Sequence, residues 1–231
     1  MLEYCIKYAW DGYNAQQAEA LRDYVVQLAE SVEERDPPYL RNKVGQLWSE
    51  VAKRSWATEW MDMDELLVRL WEADTTGTQT KRVLVLYVLE TLSDEVFGRE
   101  DPVAGMRGQE LNQALFEIFA PEEALSEQVR SRERADNVRF GAPGWLHRIC
   151  DYLGRCLQTD GKTSQDEGMY AAAVKSLSTL RAVLSWMPPK TIAKSQCRGA
   201  VMSALDRPQW LLEMSRGTLK LQTAAIEALF A

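Results

Sequence analysis

Residues 37–56 read Pro37-Pro38-Tyr39-Leu40-Arg41-Asn42-Lys43-Val44-Gly45-Gln46-Leu47-Trp48-Ser49-Glu50-Val51-Ala52-Lys53-Arg54-Ser55-Trp56. Leu40, Val44, Leu47, Trp48 and Val51 recur at helical spacing, which predicts one apolar face, with Arg41, Lys43, Glu50 and Lys53 left in water. The leading prolines suit a first helical turn, where the backbone N–H has no partner to lose. Ala57-Thr58-Glu59 breaks the pattern. A second helix is expected from Asp62 or Asp64, because a carboxylate there accepts orphan N–H groups and complements the positive end of the dipole. Leu66, Leu67, Leu70 and Trp71 form its buried stripe. Two short helices meeting at an aromatic corner make an antiparallel pair, the unit of an α-solenoid.

The same grammar continues in both directions. A helix over Asn14 to Val32, capped at Asn14, buries Ala18, Leu21, Val25 and Leu28, and Asp11-Gly12 separates it from Leu2 to Trp10. Residues 80–97 are apolar almost all round. Val83 to Leu89 could form a buried strand, but the pattern runs on to Leu92 and Val96, which favours a helix buried on two sides. Leu111, Leu115, Ile118 and Phe119 mark a partner helix that stops at Pro121. Ser126 to Arg139 is charged and poor in apolar residues, as expected of an exposed, protease-sensitive insertion. Helical order returns with Trp145, Ile149, Tyr152, Leu153 and Cys156. After the polar loop Thr159 to Gly168 come Tyr170 to Met187, Ile192 to Leu205, Trp210 to Ser215 and Leu219 to Phe230, with prolines only at the junctions. The predicted fold is an all-α, right-handed α-solenoid of HEAT repeats in approximate pairs 2–35, 37–74, 78–158 (with a polar insertion over 126–144), 168–206 and 208–231. A spacing of roughly 40 residues lies in the HEAT range.

Composition narrows the function. A chain of 231 residues with 46% hydrophobic and 26% charged residues can bury a substantial core. It contains no uninterrupted apolar run long enough for a membrane helix and no signal-peptide pattern at its front, so membrane insertion is not expected. Thirty-four acidic residues against 27 basic ones give a net charge of −7, which repels a phosphate backbone and attracts basic protein patches. Cys5, Cys150, Cys156 and Cys197 are scattered, with His147 the sole nitrogen co-ligand, so neither a metal site nor another cofactor is expected and the thiols read as reduced.

The Trp-rich pair carries a resemblance. Arg41, Asn42, Lys43, Trp48, Glu50, Lys53, Arg54 and Trp56, followed by Trp60, Asp62 and Met63, resemble the exportins, a subfamily of karyopherin-β nuclear transport receptors. In these a helix reading R-N-K-x-x-x-x-W-x-E-x-x-K-R-x-W precedes W-x-D-M. Gly77-Thr78-Gln79-Thr80, leading through Val83, Leu86, Leu89 and Leu92 to Ser93-Asp94-Glu95-Val96, is similar to the exportin-5 group and its fungal counterparts. The resemblance is close over residues 2–97 and looser over 168–231. It implies a HEAT-repeat piece from the N-terminal part of a longer receptor, since Leu2-Glu3-Tyr4 and Trp10-Asp11-Gly12 are similar to the family's second repeat.

By the same resemblance, the receptor binds the small GTPase Ran in its GTP form together with export cargo, either protein (in fungi, phosphorylated) or structured small RNA. It touches nucleoporin Phe-Gly repeats and shuttles between nucleus and cytoplasm. The resemblance also implies that inner-face helices near the N-terminus hold Ran, which makes Glu30, Glu33, Glu34, Asp62, Asp64 and Glu65 candidate Ran-binding residues. Without the resemblance they read as solvated helix ends and caps.

No catalytic residue is expected, and the chain is not read as an enzyme. His147 lacks a nucleophile context, and Gly161-Lys162-Thr163 lacks the upstream glycine and preceding strand of a phosphate loop. Trp48, Trp56, Trp60 and Trp71 could stack bases, but their helical spacing with Leu and Val favours packing. The alternative function is a HEAT scaffold that organises a protein complex.

Overall fold

The computed structural model describes residues 2–74, 78–98, 102–125, 143–158, 164–194, 197–205 and 217–230. The insertion expected over Ser126 to Arg139, the Gly161-Lys162-Thr163 loop and the segment Trp210 to Ser215 lie outside these residues. The helices are α1 (Leu2–Tyr8), α2 (Ala15–Ser31), α3 (Pro38–Ser55), α4 (Met63–Glu72), α5 (Thr80–Phe97), α6 (Pro102–Met106), α7 (Gly108–Phe119), α8 (Gly144–Cys156), α9 (Ser164–Leu184), α10 (Pro189–Lys194), α11 (Cys197–Leu205) and α12 (Gly217–Leu229). Among the described residues there is no strand, and Val83 to Leu89 lies within α5.

Local chemistry fixes the ends. Asn14 and Gln17 form a reciprocal capping box at the start of α2, with bonds of 2.9 and 3.0 Å. The corner after α3 turns on Ala57, whose φ of 64° is a left-handed value that a residue with a Cβ adopts at a cost of about 1–2 kcal/mol. The Ser55 carbonyl holds that corner by accepting N–H bonds from both Glu59 and Trp60 at 2.9 Å. Asp74 reaches forward to cap α5, accepting from the amides of Lys81 (3.0 Å) and Arg82 (2.8 Å).

Long-range contacts arrange the helices in two layers. In one, α3, α5 and α9 run in the same direction. Thr179 donates to the Leu86 carbonyl at 3.2 Å, Ser178 to Glu90 at 2.6 Å, and Trp186 stacks on Phe97 at 4.1 Å, so α9 follows α5 residue for residue. In the other layer α2, α4 and α8 run together. Arg22 meets Glu59 and Glu30 meets Arg69, while Trp145 meets Asp64 and Arg148 meets Glu72. Helix α9 packs on α12, and α8 on α11. Alternating helices that form two parallel layers define an α-solenoid. Helices α3 and α5 pass so closely at Gly45 that an added Cβ would stand 2.6 Å from Tyr87 Cδ1.

The core runs through both layers. Trp48, Trp56, Trp60 and Trp71 are all buried, with the Trp48 and Trp60 rings 5.1 Å apart and Trp71 edge-on to Trp145 at 5.5 Å and to Tyr152 at 4.9 Å. These rings join successive repeats, as the packing reading requires.

The expectation that Glu50 and Lys53 stay in water is corrected. Glu50 is 3% exposed and Lys53 0%. Helical periodicity finds the most apolar face, whereas α3 is enclosed by α1, α2, α5 and α6 and buries its charged residues too.

Candidate functional site

The exposed carboxylates at the ends of α2 and α4 are the surface features with most chemical character. At the C-terminal end of α2, Glu30, Glu33 and Glu34 are exposed around the buried Val32. The Glu33 amide donates to Asp36 at 2.8 Å, and the Glu33 carboxylate meets Arg35 at 2.6 Å. Glu30 lies 3.5 Å from Arg69. Lys81 occupies the centre of this end, donating from Nζ to the Ala29 carbonyl at 2.8 Å and to the Glu30 carbonyl. Burial holds its ammonium below the ordinary lysine value, while Asp74, Glu30, Asp36 and Glu33 oppose that shift. Helices α2 and α4 both end here, so their negative dipole ends add to the carboxylates.

Asp62, Asp64 and Glu65 lie at the other end of α4. Because α2 and α4 run in parallel, the end of one and the start of the next are opposite poles of the layer. The seven residue steps from Asp62 to Arg69 span roughly 10 Å. The six candidates therefore form two groups. Asp62 is exposed and Glu65 partly so, but Asp64 is 1% exposed and accepts a hydrogen bond from the Trp145 indole. Its carboxylate belongs to the core, and a partner cannot reach it.

A second charged cluster escaped sequence reading. Glu50 gathers Arg54 at 2.8 Å, Lys53 at 3.2 Å and Lys7 at 3.4 Å. Lys53 also meets Glu95 of α5 at 2.7 Å, and Glu3 binds Lys7 and Lys43. Arg107 closes the end of α3 by donating to the Lys53 and Trp56 carbonyls at 2.9 and 2.6 Å. The i,i+3 and i,i+4 spacing of Glu50, Lys53 and Arg54 was visible, but it reads identically on a solvated helix. This network ties α1, α3, α5 and α6–α7 together.

His147 pairs with Asp151 at 3.2 Å one turn along α8, on the surface. Among the described residues no three His, Cys, Asp or Glu side chains are placed to hold a metal, and no helix is long and apolar enough to cross a membrane. The acidic poles can bind basic side chains through exposed, hydrated charge pairs.

Residues 37–229 match the family described as Exportin 1-like protein. Protein MSN5 of Saccharomyces cerevisiae is 25% identical over 220 residues, covering 89% of this chain and 17% of its own length. Exportin-5 of Homo sapiens is 21% identical over 208 residues, covering 86% and 15% respectively. Exportin-5 of Dictyostelium discoideum is 22% identical over 204 residues, covering 83% and 16%. The chain thus spans about one-sixth of the length of these curated relatives.

Proposed function

The chain belongs to the Exportin 1-like protein family, and from that premise we propose that it works as part of a nuclear export receptor that binds Ran in its GTP form together with cargo. The observation that carries this reading is the parallel α2–α4 layer with exposed carboxylates at both poles. A globular basic partner of ordinary size spans the roughly 10 Å between them and contacts Glu30, Glu33 and Glu34 at one end and Asp62 and Glu65 at the other.

The mechanism is differential binding. Parallel helices packed layer on layer can shift against one another, and Ran-GTP and cargo that favour the same curvature raise each other's affinity. No covalent chemistry is required, and the receptor is a carrier rather than an enzyme. The net charge of −7 favours protein over structured RNA as the cargo met by this portion. Contact with nucleoporin Phe-Gly repeats and shuttling between nucleus and cytoplasm complete the proposal.

A pull-down with Ran loaded with GTP or GDP tests it. Retention of the GTP form is the expected result. Equal retention of both forms, or of neither, would favour the scaffold that organises a protein complex.

A further inference from the structure

A cleft of about 740 Å³ opens where α9 and α12 end and α10 and α11 begin. Met187, Pro188, Ile192, Val201 and Ala228 make its walls apolar. Small-molecule sites are usually clefts of roughly 300–1,000 Å³ with apolar walls and a few placed polar groups. The wall is stiff. Trp186 stacks on Phe97 at 4.1 Å and stands edge-on to Phe119 at 5.8 Å. The Pro188 carbonyl fixes the turn into α10 by accepting from the amides of Thr191 at 2.9 Å and Ile192 at 3.2 Å. A cleft held open by packed rings and a proline turn needs little reorganisation to take a ligand.

Two polar groups of this lining lack partners. The Trp186 indole N–H is buried without an acceptor among the described residues, and a donor left so carries an uncompensated desolvation cost that a ligand oxygen would relieve. Arg198 is exposed at the rim and forms no ion pair among the described residues. No Asp or Glu lines the cleft. Two helices begin on it and two end on it, so their dipoles offset and the Arg198 guanidinium sets the sign of the charge it accepts. We propose that the cleft is a binding site for a single-chain fatty acid. The hydrocarbon chain lies against Met187, Ile192, Val201 and Ala228, and the carboxylate takes the Arg198 guanidinium and the Trp186 indole N–H as its donors. The apolar walls reject a fully polar anion such as phosphate, and Arg198 rejects an amphipathic cation. This site stands independently of the export reading, since the acidic poles of α2 and α4 take no part in it.

The test is calorimetric titration of the chain with decanoate below its micelle concentration, with decylammonium as the control of equal chain length and opposite charge. One decanoate per chain is expected, bound more tightly than the cation. Arg198→Gln should weaken decanoate about 1.5- to 5-fold, the range for an exposed charge pair, and leave decylammonium no weaker. Leu229→Asp sets a like charge on the rim, at a side chain 40% exposed and so tolerant of replacement, and should also weaken decanoate. Nitrogen-15 NMR of the unmutated chain reads the second donor directly. The Trp186 indole cross-peak, identified by its loss in Trp186→Phe, should move as decanoate is added. Equal binding of the two charges, uptake that does not saturate, or an unmoved Trp186 cross-peak would overturn the proposal. So would self-association of the chain that excludes decanoate, which would give the cleft to a second copy.

Discussion

Glu50→Ala is the sharpest probe of how this solenoid is held. The Glu50 carboxylate is nearly dry and faces Arg54, Lys53 and Lys7 within 3.4 Å. Removing it takes one carboxylate from Lys53, which has no exposed surface and keeps the Glu95 carboxylate, and leaves Arg54 with the carbonyls of Glu50 and Lys7. Breaking a buried pair by deleting one partner typically costs about 3–5 kcal/mol, because the remaining charge stays desolvated. Glu95 still serves Lys53, so the low end applies, about 3 kcal/mol. At roughly 2–4 °C per kcal/mol for a chain of this size, the melting temperature should fall by about 6–12 °C. Adding Lys53→Met should recover part of the loss by removing a buried cation that has lost one of its carboxylates. Urea denaturation with fitted slopes, alongside a thermal melt, separates the variants. A loss under about 1 kcal/mol, or no recovery in the double variant, would refute the idea that this cluster is a buried network.

Trp56→Ala removes a ring with no exposed surface and should cost about 3–5 kcal/mol in chemical denaturation. Gly45→Ala forces a methyl against Tyr87 and should cost about 1–3 kcal/mol, less when Tyr87 is also made Ala. Asp74→Ala uncaps α5 and should cost about 0.5–2 kcal/mol, with faster hydrogen exchange at the Lys81 and Arg82 amides. Hydrogen bonds from Lys43 and then Lys7 hold the Glu3 carboxyl below its ordinary value. A depressed carboxylate contributes stability that is present above its unfolded value and lost as pH falls through the folded one. The α1 amides should therefore lose protection in that acidic window, and Lys43→Gln should flatten the change.

Which features were legible follows from where their causes lie. The boundaries of α2, α3 and α5 depend on neighbours a few residues away: the Asn14 and Gln17 capping box, proline in the first turn of α3, and apolar residues continuing to Val96. Asp64 was misread because what buries it is Trp145, 81 positions along the chain, and no local signal distinguishes a helix-start carboxylate in water from one beneath an indole. Glu50 and Lys53 were misread for the same reason, since their burial depends on Glu95 and on the helices closing over α3. The two poles of the acidic surface were hidden by adjacency in sequence. An end and a start that sound close become opposite once the intervening helix reverses direction and the helices of one layer run in parallel.

The most direct test of the central claim is a titration of this chain against Ran-GTP and Ran-GDP at two salt concentrations, with charge reversals at each pole. The account predicts tighter binding of the GTP form, weakening with salt because the contacts are exposed. Glu33→Lys, Glu34→Lys and Asp62→Lys should each weaken it by roughly 0.2–1 kcal/mol, about 1.5- to 5-fold. Equal affinity for the two nucleotide states would contradict the claim.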